Sequence, residues 1–146
     1  MKAFALTLAL ALISAPANAE PIAPAEITVI DGDTLRAYGH PPNIRLVGFN
    51  APETWRAACP TEQQLGARAT QRLRELVRGG ELDFQYVACS CPTGTQGTPA
   101  CNYGRACGIL KSAGHDVGAI LIAERLAVPF VCGTTRCPPT PRPWCP

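Results

Sequence analysis

Residues 43–54 read NIRLVGFNAPET. Ile44, Leu46, Val47 and Phe49 make residues 43–49 an apolar run rich in strand-forming side chains, and Pro52 prevents a central strand from continuing past it. The pattern predicts a strand over residues 43–49 that opens into a loop over residues 50–54. Arg45 is the single charge in the strand. Burying a guanidinium without a partner is expensive, so Arg45 must either snorkel to solvent or meet an acid.

Working outward toward the N-terminus, residues 26–30 (EITVI) alternate and read as a strand. Asp31-Gly32-Asp33 breaks it as a turn, residues 34–38 return as a second strand, and Gly39-His40-Pro41-Pro42 turns the chain into the third. Toward the C-terminus, residues 61–78 read as a helix. Leu65, Ala69, Leu73, Leu76 and Val77 recur at helical spacing, Thr61 with Gln64 resembles a capping box, and Gly79-Gly80 supplies the stop. Residues 81–89 (ELDFQYVAC) form a fourth strand, and residues 90–102 a Gly/Pro/Thr-rich loop. Residues 103–111 form a fifth strand, residues 117–126 a second helix capped by Asp116, and residues 127–131 a short extended piece. Five short strands with a helix after the third and another after the fifth predict a mainly β fold. The expected architecture is a five-stranded barrel of the oligonucleotide/oligosaccharide-binding (OB) type with two helices, stapled by disulfides.

The 146 residues suit one domain with a small core. Met1 and Lys2, an apolar run to Ile13, and Ala17-Asn18-Ala19 have the form of a secretory signal cut after Ala19, too short for a membrane span. The expected organisation is a signal peptide over residues 1–19, a barrel domain over 20–131, and a Cys/Pro-rich tail over 132–146 packed on that domain. Eight cysteines follow the signal. An even count in a short exported chain implies disulfides in an oxidising compartment, the periplasm or the exterior. On the order of a hundred pairings are possible, so connectivity does not follow from the count. Cys91 and Cys101 flank a loop between two strands expected to pair, which makes them the expected local bridge. Zinc is the competing use of the cysteines, disfavoured by export and by the absence of C-x2-C repeats or nearby His. A net charge of +2 announces no strongly basic groove for long nucleic acid. Eleven of the thirteen basic residues are Arg, suited to carboxylate and phosphate but also explained by composition alone.

Four clusters have chemical potential. Asp31 and Asp33 on one turn suit a hard cation, although D-G-D is also ordinary turn composition. Arg45 suits an anion pocket. Asn50 and Glu53 leave the end of the same strand, where site residues concentrate, offering an amide oxygen and a proton acceptor. Tyr103-Gly104-Arg105 combines close backbone approach with a guanidinium able to clamp phosphate.

Taken together, D-G-D-T, then R-L-V-G-F-N-A-P-E-T, an L-G-x-x-A helix, Y-G-R and G-H-D-V-G-x-x-L-I follow one another in an order that resembles the staphylococcal nuclease (thermonuclease) family, from about Ile27 to Phe130. The resemblance implies an OB-type barrel and a phosphodiesterase site. It implies that Asp33, Asn50 and the backbone oxygen of Ala51 hold calcium or another divalent cation, with Asp31 in the ion's outer surroundings. It implies that Glu53 is the general base, that Arg45 and Arg105 are the phosphate-binding catalytic arginines, and that Tyr103 lies beside the nucleotide. Nucleic acid is the implied substrate, cut to leave 3′-phosphate ends. The chain is expected to act as a monomer with no stable membrane association. Asn50 stands where the family has a carboxylate, and the Cys/Pro tail replaces the family's long C-terminal helix. A non-catalytic barrel that binds nucleic acid or another ligand is the alternative.

Overall fold

The computed structural model describes residues 18–146, so all but the last two residues of the signal peptide expected over residues 1–19 lie outside the described residues. It shows a mixed α/β chain whose main sheet curls into a half-barrel. The strands are β1 (Glu20–Ile22), β2 (Ile27–Val29), β3 (Thr34–Ala37), β4 (Ile44–Leu46), β5 (Gly48–Asn50), β6 (Leu82–Val87), β7 (Ala106–Ser112), β8 (His115–Asp116) and β9 (Val128–Phe130). The helices are α1 (Pro60–Arg78) and α2 (Val117–Ala123). Six strands lie in the order β1-β6-β7-β4-β3-β2, β8 pairs with β7, and β5 with β9 forms a separate two-stranded sheet. All pairs are antiparallel except β4 with β7, where Arg45 stands opposite Cys107.

The strand expected over residues 43–49 is two strands. Ile44 and Leu46 point inward from β4, Val47 donates its N–H to the Gly108 carbonyl, and Gly48 then takes φ +93°. That backbone region favours glycine, so the chain turns there and β5 leaves the main sheet for β9. The fifth strand also starts later than expected. Residues 102–104 form a 3-10 turn in which Asn102 and Tyr103 have positive φ, and pairing begins at Ala106. The helix α1 starts at Pro60, with Cys59 at the N-cap making no side-chain capping bond, so the Thr61/Gln64 capping box does not form. Pro at the first helical position is pre-set for the helix and gives up no needed N–H. The second helix ends at Ala123, three residues short of the expected end, while its Asp116 cap forms: Asp116 Oδ1 accepts from the Ala119 N–H at 2.9 Å.

The core gathers Leu35, Ile44, Leu46, Phe49, Leu73, Leu110, Val117 and Leu121, all fully buried between the sheet and the two helices. Ala69, Leu73 and Val77 of the expected stripe are buried, Leu65 and Leu76 half-buried, and Arg74, Glu75 and Arg78 exposed. A second apolar cluster is made of Cys89, Cys91, Cys101 and Cys107 with Val47 and Val87. All eight cysteines are paired, as Cys59–Cys145, Cys89–Cys107, Cys91–Cys101 and Cys132–Cys137. The expected Cys91–Cys101 bridge is present with its Cα atoms 5.3 Å apart, and no thiol is left for zinc. Four disulfides fit an oxidising environment. Among the described residues no helix is long and apolar enough to cross a membrane.

Candidate functional site

The turn at residues 31–33 is pinned from both sides. The Ile30 and Asp31 N–H groups donate to the Thr34 carbonyl, and Asp31 Oδ1 accepts from the Asp33 N–H at 3.1 Å. This Asx bond is why Asp suits the turn, and it drives the Asp33 side chain inward, where 8% of the residue remains exposed. Asp33 Oδ1 accepts from the Thr34 hydroxyl at 3.1 Å, and Oδ2 accepts from the Ala51 N–H at 2.8 Å. Burial pushes the Asp33 carboxyl up to about 6 from 3.8, with the Asp31 charge adding, while the Arg45 charge and the two hydrogen bonds oppose it.

Arg45 meets the acid its position called for. Its Nη1 lies 3.1 Å from Asp33 Oδ2 and donates to the Leu46 carbonyl at 2.6 Å. Its Nη2 donates to the Phe49 carbonyl at 3.1 Å and to Asn50 Oδ1 at 2.9 Å. The two terminal nitrogens thus donate three hydrogen bonds, and Nη1 is also ion-paired with Asp33. Burial lowers the Arg45 pKa, Asp33 opposes, and the nearby Arg105 charge adds, yet a guanidinium stays charged under these conditions. The break at Gly48 makes this arrangement possible, because it folds the Phe49 carbonyl and Asn50 back toward the β4 side chain.

Asn50 is buried and uses both ends of its amide. While Oδ1 accepts from Arg45, Nδ2 donates to the Pro141 carbonyl in the tail at 3.0 Å. Ala51 is buried with its N–H committed to Asp33. Glu53 is exposed two residues further along the loop. Across the cleft, the loop stapled by Cys89–Cys107 and Cys91–Cys101 presents Tyr103 and Arg105. Arg105 donates from Nη2 to Asn102 Oδ1 at 2.7 Å and from Nε to the Asn102 carbonyl at 3.2 Å, and its guanidinium lies 5.9 Å from the Tyr103 ring. Tyr103 is 90% exposed at φ +58°. A left-handed non-glycine residue stores about 1–2 kcal/mol of strain, a cost met mainly where surrounding structure fixes it.

One cleft of about 1050 Å³ is lined by Asp31, Asp33, Arg45, Asn50, Glu53, Tyr103 and Arg105. Seven of the eight residues singled out from the sequence share this surface. The exception is Ala51, which lies behind it. The cleft also brings in residues the sequence reading passed over: Trp55, 92% exposed on the Glu53 loop, and Arg142 from the tail. A third such residue, Glu62, is buried on α1. Pro60 at the first helical position was its available signal. That start places Glu62 at the third position, from which a Glu side chain reaches back to preceding backbone N–H groups.

A hard cation is bound by an excess of charged oxygens free to turn toward it. Here Asp33 already takes two hydrogen bonds and the Arg45 ion pair, Asn50 is neutral with its oxygen on Arg45, and the Arg45 guanidinium sits beside both. Among the described residues no group of three or more His, Cys, Asp or Glu side chains is placed to hold a metal ion. As arranged, these donors do not fit a tightly held calcium ion, and Arg45 supplies the local positive charge.

Compared with models of known protein families and with characterised proteins, the chain matches none.

Proposed function

We propose that this chain is an exported phosphodiesterase of the nuclease type, built on an OB-type barrel and acting on a nucleic-acid strand laid in the cleft. The observation that carries the reading is the convergence of Glu53, Arg45 and Arg105, from a loop, a strand and a disulfide-stapled turn, on one open surface. In this reading the Glu53 carboxylate takes a proton from water as its oxygen bonds to phosphorus, and the phosphorus–oxygen ester bond opposite breaks, its electron pair leaving on the ester oxygen, which takes a proton from solvent in the open cleft. The Arg45 and Arg105 charges stabilise the negative charge gathering on the equatorial oxygens. Arg45 is held by three hydrogen bonds and the Asp33 ion pair, so its charge is oriented before substrate arrives, which is the condition under which such stabilisation is largest. Trp55 and Tyr103, both exposed at the cleft, give unpaired bases aromatic faces to stack on.

The test is cleavage of end-labelled single-stranded DNA and RNA by the purified residue 20–146 chain, with Ca²⁺, Mg²⁺, Mn²⁺ or EDTA. The Glu53→Gln variant is assayed beside it. Losing a general base costs about 10²–10⁴-fold, so the parent cleaves and Glu53→Gln does so at least about a hundredfold more slowly. A parent that cleaves neither polymer with any of the ions defeats the reading. The second reading, a barrel that binds nucleic acid without cutting it, is favoured by one observation: Asn50 replaces a charge and is tied to the tail. It predicts oligonucleotide retention without cleavage, unaffected by EDTA.

A further inference from the structure

The loop between β5 and α1, residues 51–59, carries Glu53, Trp55 and Arg56 yet contains no helix or strand. Its shape is set from outside. The Glu62 carboxylate, 1% exposed, accepts from the Ala58 N–H at 2.7 Å through Oε2 and from the Glu53 N–H at 3.4 Å through Oε1. The remaining capacity of that carboxylate is filled by the tail, with Arg142 Nε donating to Oε1 at 2.9 Å and Arg142 Nη2 to Oε2 at 2.8 Å. Arg142 Nη2 also donates to the Arg56 carbonyl at 2.8 Å. Cys145 is covalently joined to Cys59 at the loop's end, and Pro141 receives the Asn50 amide at its beginning. Tail residues 141–145 thus bind the loop at its start, middle and end.

The Glu53 carboxylate makes none of these bonds, so its aim depends on its backbone. We propose that the C-terminal tail is the positioning element for Glu53, acting through Glu62 and Arg142 as positioning residues. The inference rests on the nuclease reading and specifies how that site is held. Arg142 is the keystone because a bidentate guanidinium matches both oxygens of a buried carboxylate at once. Without it, Glu62 is a buried charge with half its donors, and it turns away from the Glu53 and Ala58 amides to find water. The disulfide alone leaves the tail attached but removes none of that freedom at the middle of the loop.

The test compares the parent with Arg142→Ala, Arg142→Lys and the Cys59→Ser/Cys145→Ser pair. Three quantities are followed: amide hydrogen exchange, kcat with KM on a single-stranded oligonucleotide, and the urea midpoint. In Arg142→Ala, exchange in residues 51–59 rises while that of residues 34–46 does not, and kcat falls roughly tenfold to a hundredfold with KM within about twofold, since small misplacement of a reacting group costs that much. Arg142→Lys, which keeps the charge and loses the fork, recovers part of the protection and part of kcat. The disulfide pair reproduces the direction of both changes if Arg142→Ala folds poorly. Unchanged loop exchange in Arg142→Ala overturns the proposal. So does a rise in KM at constant kcat, which would make Arg142 a substrate contact, and so does a lowered urea midpoint with kcat intact, which would make the pair purely structural. A parent that cleaves nothing removes the nuclease reading instead, and the exchange arm then still decides whether the tail holds the loop.

Discussion

Asn50 is asked for two things that an aspartate cannot both supply. It accepts from Arg45 and donates to the Pro141 carbonyl. Asn50→Asp keeps the first bond, loses the second, and sets a carboxylate against a carbonyl oxygen. It also adds the negative charge that a hard-cation site lacks here, and calcium affinity follows ligand charge count. Isothermal titration therefore shows no tight calcium binding by the parent and a gain of calcium affinity in Asn50→Asp, together with faster amide exchange near residue 141. Equal affinity in the two proteins would count against Asp33 and position 50 sharing an ion. Glu62 makes the complementary demand. The Arg142 hydrogen bonds hold its carboxyl below 4.5, against the opposing effect of burial. A carboxyl depressed on folding adds stability that is present above its unfolded pKa and lost as pH falls through the folded one. Glu62 therefore contributes a loss of stability to the parent's urea midpoints as pH drops below 4.5, against the opposite contribution of Asp33, and Arg142→Ala shrinks that loss, because the carboxyl is no longer held down by the guanidinium. A limb of equal slope in the two proteins would place the acid sensitivity elsewhere.

At the scale of elements, α1 meets the Glu53 loop at Gly66. A Cβ there would lie 2.7 Å from both the Pro52 and Glu53 carbonyl oxygens, which are backbone atoms with little room to yield. Helix propensity alone favours Gly66→Ala by about 1 kcal/mol, whereas forcing a methyl into a packed contact costs about 1–3 kcal/mol. The clash wins, so Gly66→Ala lowers the urea midpoint and, by moving residue 53, slows cleavage. A stabilised variant with full activity would show that the loop gives way freely. The same helix shows what the sequence exposes and what it hides. Its apolar stripe, its glycine stop and the hairpin at residues 31–33 depend on neighbours a few positions away, so they are legible. Glu62 is legible only as a third-position helix residue after Pro60, and its burial is not, because a Glu on a helix is ordinarily exposed and its partner Arg142 is 80 residues distant. Residues 43–49 look like one strand because a lone glycine at 48 does not by itself break a mostly apolar run, and only pairing with β9 reveals the turn. The strand β1 is short and contains Pro21, which hides it from propensity, but β6 supplies the partner. Taken singly the candidate residues read as ordinary turn, strand and loop residues, and only the order of their motifs along the chain made them legible as a set. How the tail engages Asn50 was not, because it depends on folding of the whole chain.

At the scale of the whole molecule, four covalent closures differ sharply in reach. The sequence separations are 86 for Cys59–Cys145, 18 for Cys89–Cys107, 10 for Cys91–Cys101 and 5 for Cys132–Cys137. In the chain-entropy account, a cross-link stabilises by restricting the unfolded ensemble, with a logarithmic dependence on loop length. The longest closure is then worth about 4–5 kcal/mol and the shortest about 2 kcal/mol. The three shorter loops lie inside the longest one and shorten its effective length, but a logarithm changes little for such a reduction. Cys89–Cys107 and Cys91–Cys101 carry a second contribution, because their sulfurs form a buried apolar cluster with Val47 and Val87 behind the Arg105 turn. Paired Cys→Ser variants, measured by urea denaturation, are expected to order themselves accordingly. Removal of Cys132–Cys137 costs least, since it closes a short loop whose cysteines lie outside the buried cluster. Removal of Cys59–Cys145 costs most and also speeds exchange across residues 51–59. Removal of the two middle bridges costs less globally, but exposes the turn that carries Tyr103 and Arg105. Non-reducing peptide mapping checks the four pairs directly. If loss of Cys132–Cys137 proved as costly as loss of Cys59–Cys145, loop entropy would not be what the longest bridge contributes, and its role would reduce to holding the tail against the Glu53 loop.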